Sequence, residues 1–163
     1  MKNNTISKSF IFYFLMSLIL LDFGNQLRKL SFNSFFDNYS NPIFSITHTT
    51  NTGSAFGMFA NKSFPLAVFG LFALIILTYY VYKNITFNDK LELLAITLFS
   101  SGTLGNLIER LQYGYVIDYI KLNFIEFPVF NSFDIMICLG VALYFIFVLL
   151  DLRKDYENSD KSK

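Results

Sequence analysis

Four apolar stretches decide what this chain can fold into. Residues 9–30, 64–82, 91–108 and 133–150 are each long enough to cross about 30 Å of hydrocarbon as helix, at 1.5 Å of rise per residue. Composition agrees: 53% of the residues are hydrophobic and 15% charged, where soluble domains carry about 25% charged residues. Such a chain is too apolar for intrinsic disorder. Cys138 is the only cysteine, which excludes a disulfide scaffold. The net charge of +1 leaves no electrostatic reason to expect a nucleic-acid partner. The expected fold class is an all-α membrane protein with four transmembrane helices. It forms one domain over residues 1–152, and the charged tail 153–163 is expected to be disordered.

The first stretch has the charged start of a secretory signal, in Lys2 and Lys8, but Asp22, Asn25 and Gln26 stand where a small-residue cleavage site belongs. It reads as a retained helix. Orientation follows from lysine and arginine. With both termini cytoplasmic, Lys2, Lys8, Lys83, Lys90, Arg153, Lys154, Lys161 and Lys163 lie inside, and Arg28, Lys29, Lys62, Arg110 and Lys121 outside. Residues 31–63 and 111–132 are then extracytoplasmic, and the short link 83–90 makes the second and third helices a hairpin.

Both outer segments carry structure of their own. Residues 43–50 are rich in β-branched and aromatic side chains with partial alternation, which predicts a strand. Residues 115–120 are either extended or briefly helical. Phe32, Phe35, Phe36, Phe124, Ile125 and Phe127 suit a piece lying on the membrane surface. The two segments are expected to pack together.

A charge near the bilayer centre costs about 2.5–3.5 kcal/mol, so polar residues in or beside the spans are functional candidates. Asp22 lies about 18 Å along the first helix, and Asp22, Asn25, Gln26 and Lys29 share one face of it. That stripe is either functional or a helix end emerging into water. On the third helix Ser101, Gly102, Gly105, Asn106, Glu109 and Arg110 recur three and four apart. Small residues there admit another backbone, and Asn106 with Arg110 offers donors on the same face. Glu109 and Arg110 also suit an interfacial helix end, whereas Asn106 is a turn deeper.

Two carboxylates lie just outside the spans. Asp118 sits among apolar neighbours, and Asp134 opens the fourth helix, with Asn131 as candidate N-cap. A first-turn acid beside the helix dipole accounts for Asp134 structurally; nothing comparable accounts for Asp118. Two such carboxyls meeting at a membrane surface suit aspartic catalysis, because close like charges share one proton. Which residue holds the proton is left open by the sequence. The lone His48 has no second ligand at metal spacing, so no metal or cofactor is expected, and it reads as a surface or hydrogen-bonding residue. Cys138 suits inert packing within the fourth helix. No serine lies in a nucleophile motif. A small transporter and a membrane scaffold are the competing readings. The first predicts facing charges in mid-membrane, which the second and fourth stretches lack; the second leaves Asp118 unexplained.

The motifs Asn51-Thr-Gly-Ser-Ala-Phe56, Gly105-Asn-Leu-Ile-Glu-Arg110, Gly114-Tyr-Val-Ile-Asp-Tyr-Ile120 and Phe130-Asn-Ser-Phe-Asp134 together resemble signal peptidase II, the prolipoprotein signal peptidase of bacterial inner membranes. The resemblance spans nearly the whole chain. It implies that Asp118 and Asp134 are a catalytic dyad. It implies that Asn51, Gly53, Asn106, Arg110 and Asn131 line or brace the substrate groove, with Asp22 and Glu109 as polar support. It also implies a strand-rich extracytoplasmic cradle and a surface helix. Three positions depart from the family pattern: Glu109 replaces Asp, Gln26 replaces Lys with Lys29 as candidate substitute, and Phe133 replaces a small residue. These bear on the Arg110 contacts and on substrate preference.

The implied substrate is a lipoprotein precursor whose cysteine carries diacylglycerol and whose signal helix spans the bilayer. Its acyl chains stay in lipid while the scissile bond meets the dyad at the outer surface, where water is available. Binding of the remote lipid and helix positions the reacting bond, so an unlipidated precursor should be a poor substrate. Membrane lipids are the other expected partner. Nothing in the sequence demands a second subunit, and a monomer is expected.

Overall fold

In a computed structural model of the chain, residues 7–34, 36, 39–53, 61–85 and 89–161 are described. Lys2, Lys163, Phe35 and the motif residues Ser54, Ala55 and Phe56 lie outside them. The elements are α1 (Lys8–Ser31), β1 (Phe44–Asn51), α2 (Ser63–Asn84), α3 (Lys90–Tyr113), β2 (Val116–Leu122) and α4 (Ser132–Lys161). All four helices contain a stretch long and apolar enough to cross a membrane. They are not equivalent: 61% of that stretch is buried in α3, against 11–17% in the other three. α3 is therefore the core of the bundle, and α1, α2 and α4 pack around it. Residues such as Phe69, Phe72, Leu139 and Phe145, exposed on α2 and α4, would be an aggregation surface in water and are a solvated one in lipid.

Hydrocarbon offers the helices no hydrophobic drive to associate, so packing rests on close approach of small residues and on polar contacts. A Cβ on Gly140 of α4 would stand 2.6 Å from the backbone nitrogen of Phe99, so α4 lies almost against the α3 backbone there. Nearer the sheet, the Phe133 ring fills the space left by Gly24 of α1 and Gly105 of α3, where any Cβ would overlap it. Phe133 is thus a buried key joining three helices, 2% exposed. It faces the helix junction and fills the gap that two glycines leave. On α1, Ser9, Tyr13, Ser17, Gly24 and Ser31 form the buried face, and the Tyr13 hydroxyl lies 3.2 Å from Thr78 Oγ1 of α2. Thr97 and Ser101 of α3 donate to the carbonyls of Leu93 and Thr97, which satisfies both hydroxyls inside the helix.

β1 and β2 pair antiparallel at one end of the bundle, which resolves residues 116–120 as extended backbone. The register carries one irregularity. Phe44 pairs with Leu122 and Ile46 with Ile120, but Thr49 pairs with Asp118 and Asn51 with Val116. β1 therefore holds one extra residue between Ile46 and Thr49, a β-bulge. Side chains alternate faces along a strand, so one inserted residue moves everything beyond it to the opposite face. The bulge puts Asn51 on the face that carries Asp118.

Two further expectations change. Among the described residues no surface helix forms: residues 32–34 and 36 lie in turns and bends, and 123–129 run without regular structure. Residues 153–161 of the tail are helical, not disordered, since α4 continues to Lys161, with residues 151–160 exposed. Residues 151–161 contain no Gly or Pro, Arg153 Nε donates to Glu157 Oε1 at 2.8 Å one turn on, and extending a helix costs far less than starting one.

Candidate active site

Two strand–helix junctions bring the site together. α3 ends at Gly114, whose positive φ of 80° closes the helix, and the chain turns directly into β2 with Asp118 on its third residue. β2 then leads to Phe130, which exchanges backbone hydrogen bonds with Ile120. That contact folds the chain back so that α4 begins beside Asp118.

Asn131 caps α4 and joins the parts. Its Oδ1 accepts from the amides of Phe133 (2.8 Å) and Asp134 (3.0 Å). Its Nδ2 donates to Asp118 Oδ1 at 2.8 Å and to Asn106 Oδ1 at 3.2 Å. Its backbone amide donates to Asp134 Oδ2 at 3.0 Å. Every polar atom of this side chain is used, at 1% exposure. Asp134 is thus the third-position acid of a capping box, a closer tie than the first-turn acid read from the sequence. Only one of its oxygens serves that role; Oδ1 accepts from Asn106 Nδ2 at 2.8 Å.

Asp118 is 3% exposed. Its second oxygen accepts from Asn51 Nδ2 at 2.9 Å, a bond that exists because the bulge turned Asn51 toward it. Burial pushes the Asp118 carboxyl up to about 6. The Asn51 and Asn131 donors oppose that rise and the nearby Asp134 charge adds to it. One residue therefore bridges two carboxyls through separate amides, and Asp118 is deeply buried and inclined to keep a proton at a pH where an exposed aspartate has lost it.

Arg110 sits alongside. Its Nη2 donates to the Gly53 carbonyl at 2.9 Å and its Nη1 to Asn106 O at 3.3 Å. Its buried Nε has no acceptor among the described residues. The Gly53 amide in turn donates to Asn51 Oδ1 at 2.9 Å. Asn51, Gly53, Asn106, Arg110, Asp118, Asn131 and Asp134 are thus one connected polar cluster.

The other sequence candidates fall elsewhere. Asp22, Gln26 and Lys29 are exposed on α1 and Asn25 is only partly covered, so Asp22 is not the expected support of the cluster, and Lys29 does not take the place that Gln26 left vacant. Arg28 does face inward, with Nη1 3.3 Å from Glu109 Oε1. The polar stripe was the misleading signal; Gly24, Arg28 and Ser31, spaced four and three apart with Ser17 two turns before Gly24, mark the face that packs. Glu109 is buried, accepts from the Ile117 amide at 2.8 Å and is ion-paired with Arg28. His48 stacks on Phe32, with ring centroids 4.0 Å apart, and bonds Ser31. Cys138 is exposed on α4 and takes no part in core packing. A buried acid unnoticed in the sequence, Glu92, accepts from the Tyr80 hydroxyl at 2.7 Å and links α2 to α3 at the opposite end of the bundle.

Fold and site together define a multi-pass membrane protein with a pair of hydrogen-bonded carboxyls at one end of its helices. Residues 14–150 match the family model for signal peptidase (SPase) II, and the chain belongs to that family. It is 32% identical over 146 residues to the lipoprotein signal peptidase of Latilactobacillus sakei, an alignment covering 86% of this chain and 95% of that protein. To the lipoprotein signal peptidase of Moorella thermoacetica it is 36% identical over 136 residues, 80% of this chain and 88% of the other. A solved bacterial membrane enzyme, obtained by the in meso method at 2.3 Å resolution, superposes with a TM-score of 0.75 at 29% identity, covering 95% of this chain and 96% of that one. Membership makes the protein a peptidase of lipoprotein signal peptides.

Proposed function

We propose that Asp118 and Asp134 are the catalytic dyad of an aspartic endopeptidase that cleaves a diacylglyceryl-modified prolipoprotein immediately before its lipidated cysteine. The observation carrying this reading is the Asn131 bridge, which binds both carboxyls from one residue. In the reaction, the ionised carboxylate takes a proton from water as the water oxygen bonds to the scissile carbonyl carbon. The protonated partner gives its proton to the carbonyl oxygen. As that intermediate collapses, the carboxyl that took the water proton gives it to the leaving nitrogen and the C–N bond breaks. The now ionised partner takes a proton from a hydroxyl of the intermediate, which leaves one proton on the pair as before. Burial lifts the Asp118 carboxyl to about 6, so the pair retains a proton at a pH where an exposed aspartate has lost it.

The neighbouring groups supply binding. Arg110, with a buried Nε free of protein acceptors among the described residues, is a donor for a substrate carbonyl. Asn51, Gly53, Asn106 and Asn131 shape the groove in which the peptide lies. The dyad end is the extracytoplasmic one, both termini are cytoplasmic, and residues 1–152 act as a single domain. The acyl chains of the substrate rest in the surrounding lipid against the exposed phenylalanines, and one copy of the chain suffices. Asp118→Asn and Asp134→Asn are each expected to abolish cleavage of a lipidated precursor on a gel while the protein remains membrane-inserted. Normal processing by either variant overturns the dyad.

A further inference from the structure

β2 presents one edge to β1 and the other to the helices, and the helical edge is anchored on both sides of Asp118. The amide of Tyr119 donates to the Phe130 carbonyl at 3.0 Å, which ties the strand to the start of α4. The amide of Ile117 donates to a side chain, Glu109 Oε2 of α3, at 2.8 Å. Asp118 is therefore suspended between two fixed peptide planes, one of them fixed by a carboxylate.

That carboxylate is an expensive way to satisfy one amide. Glu109 is 3% exposed, and a buried ionised group is tolerated when it is paired and hydrogen-bonded. Oε2 takes the Ile117 amide as a hydrogen bond, and Oε1, which accepts no hydrogen bond among the described residues, is ion-paired at 3.3 Å with Nη1 of Arg28, which reaches in from α1. α1, α3 and β2 are thus linked through one side chain, which holds the peptide directly before Asp118. A hydrophobic residue at 109 would fill the space and leave the Ile117 amide without its acceptor.

We propose that Glu109, charge-paired with Arg28, is a positioning residue for Asp118: it holds the Ile117 peptide so that the Asp118 carboxyl stays oriented toward Asp134. The proposal rests on the dyad reading above. Misplacing a reacting group by about 1 Å can cost about 10²-fold in rate, and substrate binding elsewhere in the groove is untouched. Glu109→Leu is therefore expected to lower kcat by about 10²-fold with KM within about threefold. Glu109→Gln, which keeps an acceptor oxygen for Ile117, is expected to recover most of that loss.

The test is steady-state cleavage of a lipidated precursor by the full-length enzyme in detergent–lipid micelles, with Asp118→Asn alongside. An inactive Asp118→Asn together with wild-type kcat in Glu109→Leu overturns the positioning role and leaves the dyad standing. An active Asp118→Asn overturns the dyad. A rise in KM at unchanged kcat in Glu109→Leu, or equal losses in the Leu and Gln variants, also overturns the positioning role. Should Glu109→Leu not accumulate as folded protein, hydrogen–deuterium exchange on the wild-type enzyme decides. Slow exchange of the Ile117 amide supports the contact, and exchange at the rate of an unprotected amide overturns it.

Discussion

The side-chain nitrogen of Asn131 lies 2.8 Å from Asp118, while its backbone nitrogen lies 3.0 Å from Asp134. One residue thus holds both carboxyls and, through its Oδ1, starts the helix that carries the second. Asn131→Ala removes a cap and a bridge together. Loss of the cap should cost about 1 kcal/mol of stability, and loss of the bridge should lower kcat by about 10²-fold. Thermal unfolding in detergent reads the first effect and precursor cleavage the second. An unchanged kcat would mean that the bridge does not orient the pair.

The pH profile follows from the raised Asp118 carboxyl. A carboxyl lifted to about 6 keeps its proton until the pH passes that value, and the proposed mechanism needs one proton on the pair. kcat/KM is therefore expected to fall as pH rises through about 6, close to tenfold per unit beyond it. Asn51→Leu deletes a donor that favours the ionised form, so the proton should be held to higher pH and the descending limb should move upward. A limb that moves downward contradicts the assignment.

Phe133 should matter for stability. Its ring occupies the gap between Gly24 and Gly105 with 2% exposure, and truncating a buried Phe to Ala costs about 3–5 kcal/mol. Phe133→Ala is expected to lower the unfolding midpoint in detergent clearly, and Gly105→Leu should do so too by forcing the ring out. A midpoint within a degree of wild type for Phe133→Ala would contradict the packing role.

Gln26 should tolerate the charge that the family carries at this position. It is exposed on α1, and exposed substitutions away from special features usually change stability by no more than about 0.5 kcal/mol. Gln26→Lys is expected to give wild-type yield, unfolding midpoint and cleavage rate. Loss of folded protein would reveal a partner on that face.

The spans, the strand before Asn51, the Asn131 cap and the isolation of Asp118 were all legible in the sequence. Each is a local property: an apolar run of bilayer length, a capping residue one helical turn before an acid, a carboxylate among apolar neighbours. Tertiary structure alone decided which faces meet. Each residue turns a helix by 100°, so Arg28 points into the bundle while Lys29 beside it points out, and only packing against α3 chooses the phase. The small-residue face of α1 held that information, but charge drew attention to the wrong stripe. A single extra residue in β1 brought Asn51 to Asp118, and no local pattern announces a bulge whose effect is felt on a partner strand 67 positions away. Phe133 stands beside Asp134 in the sequence, yet two glycines on other helices make its pocket. The sequence by itself determined that this is a four-span membrane protein with two aspartates out of place. The packing of α1, α3 and α4 and the register of two strands decided that those aspartates share one asparagine.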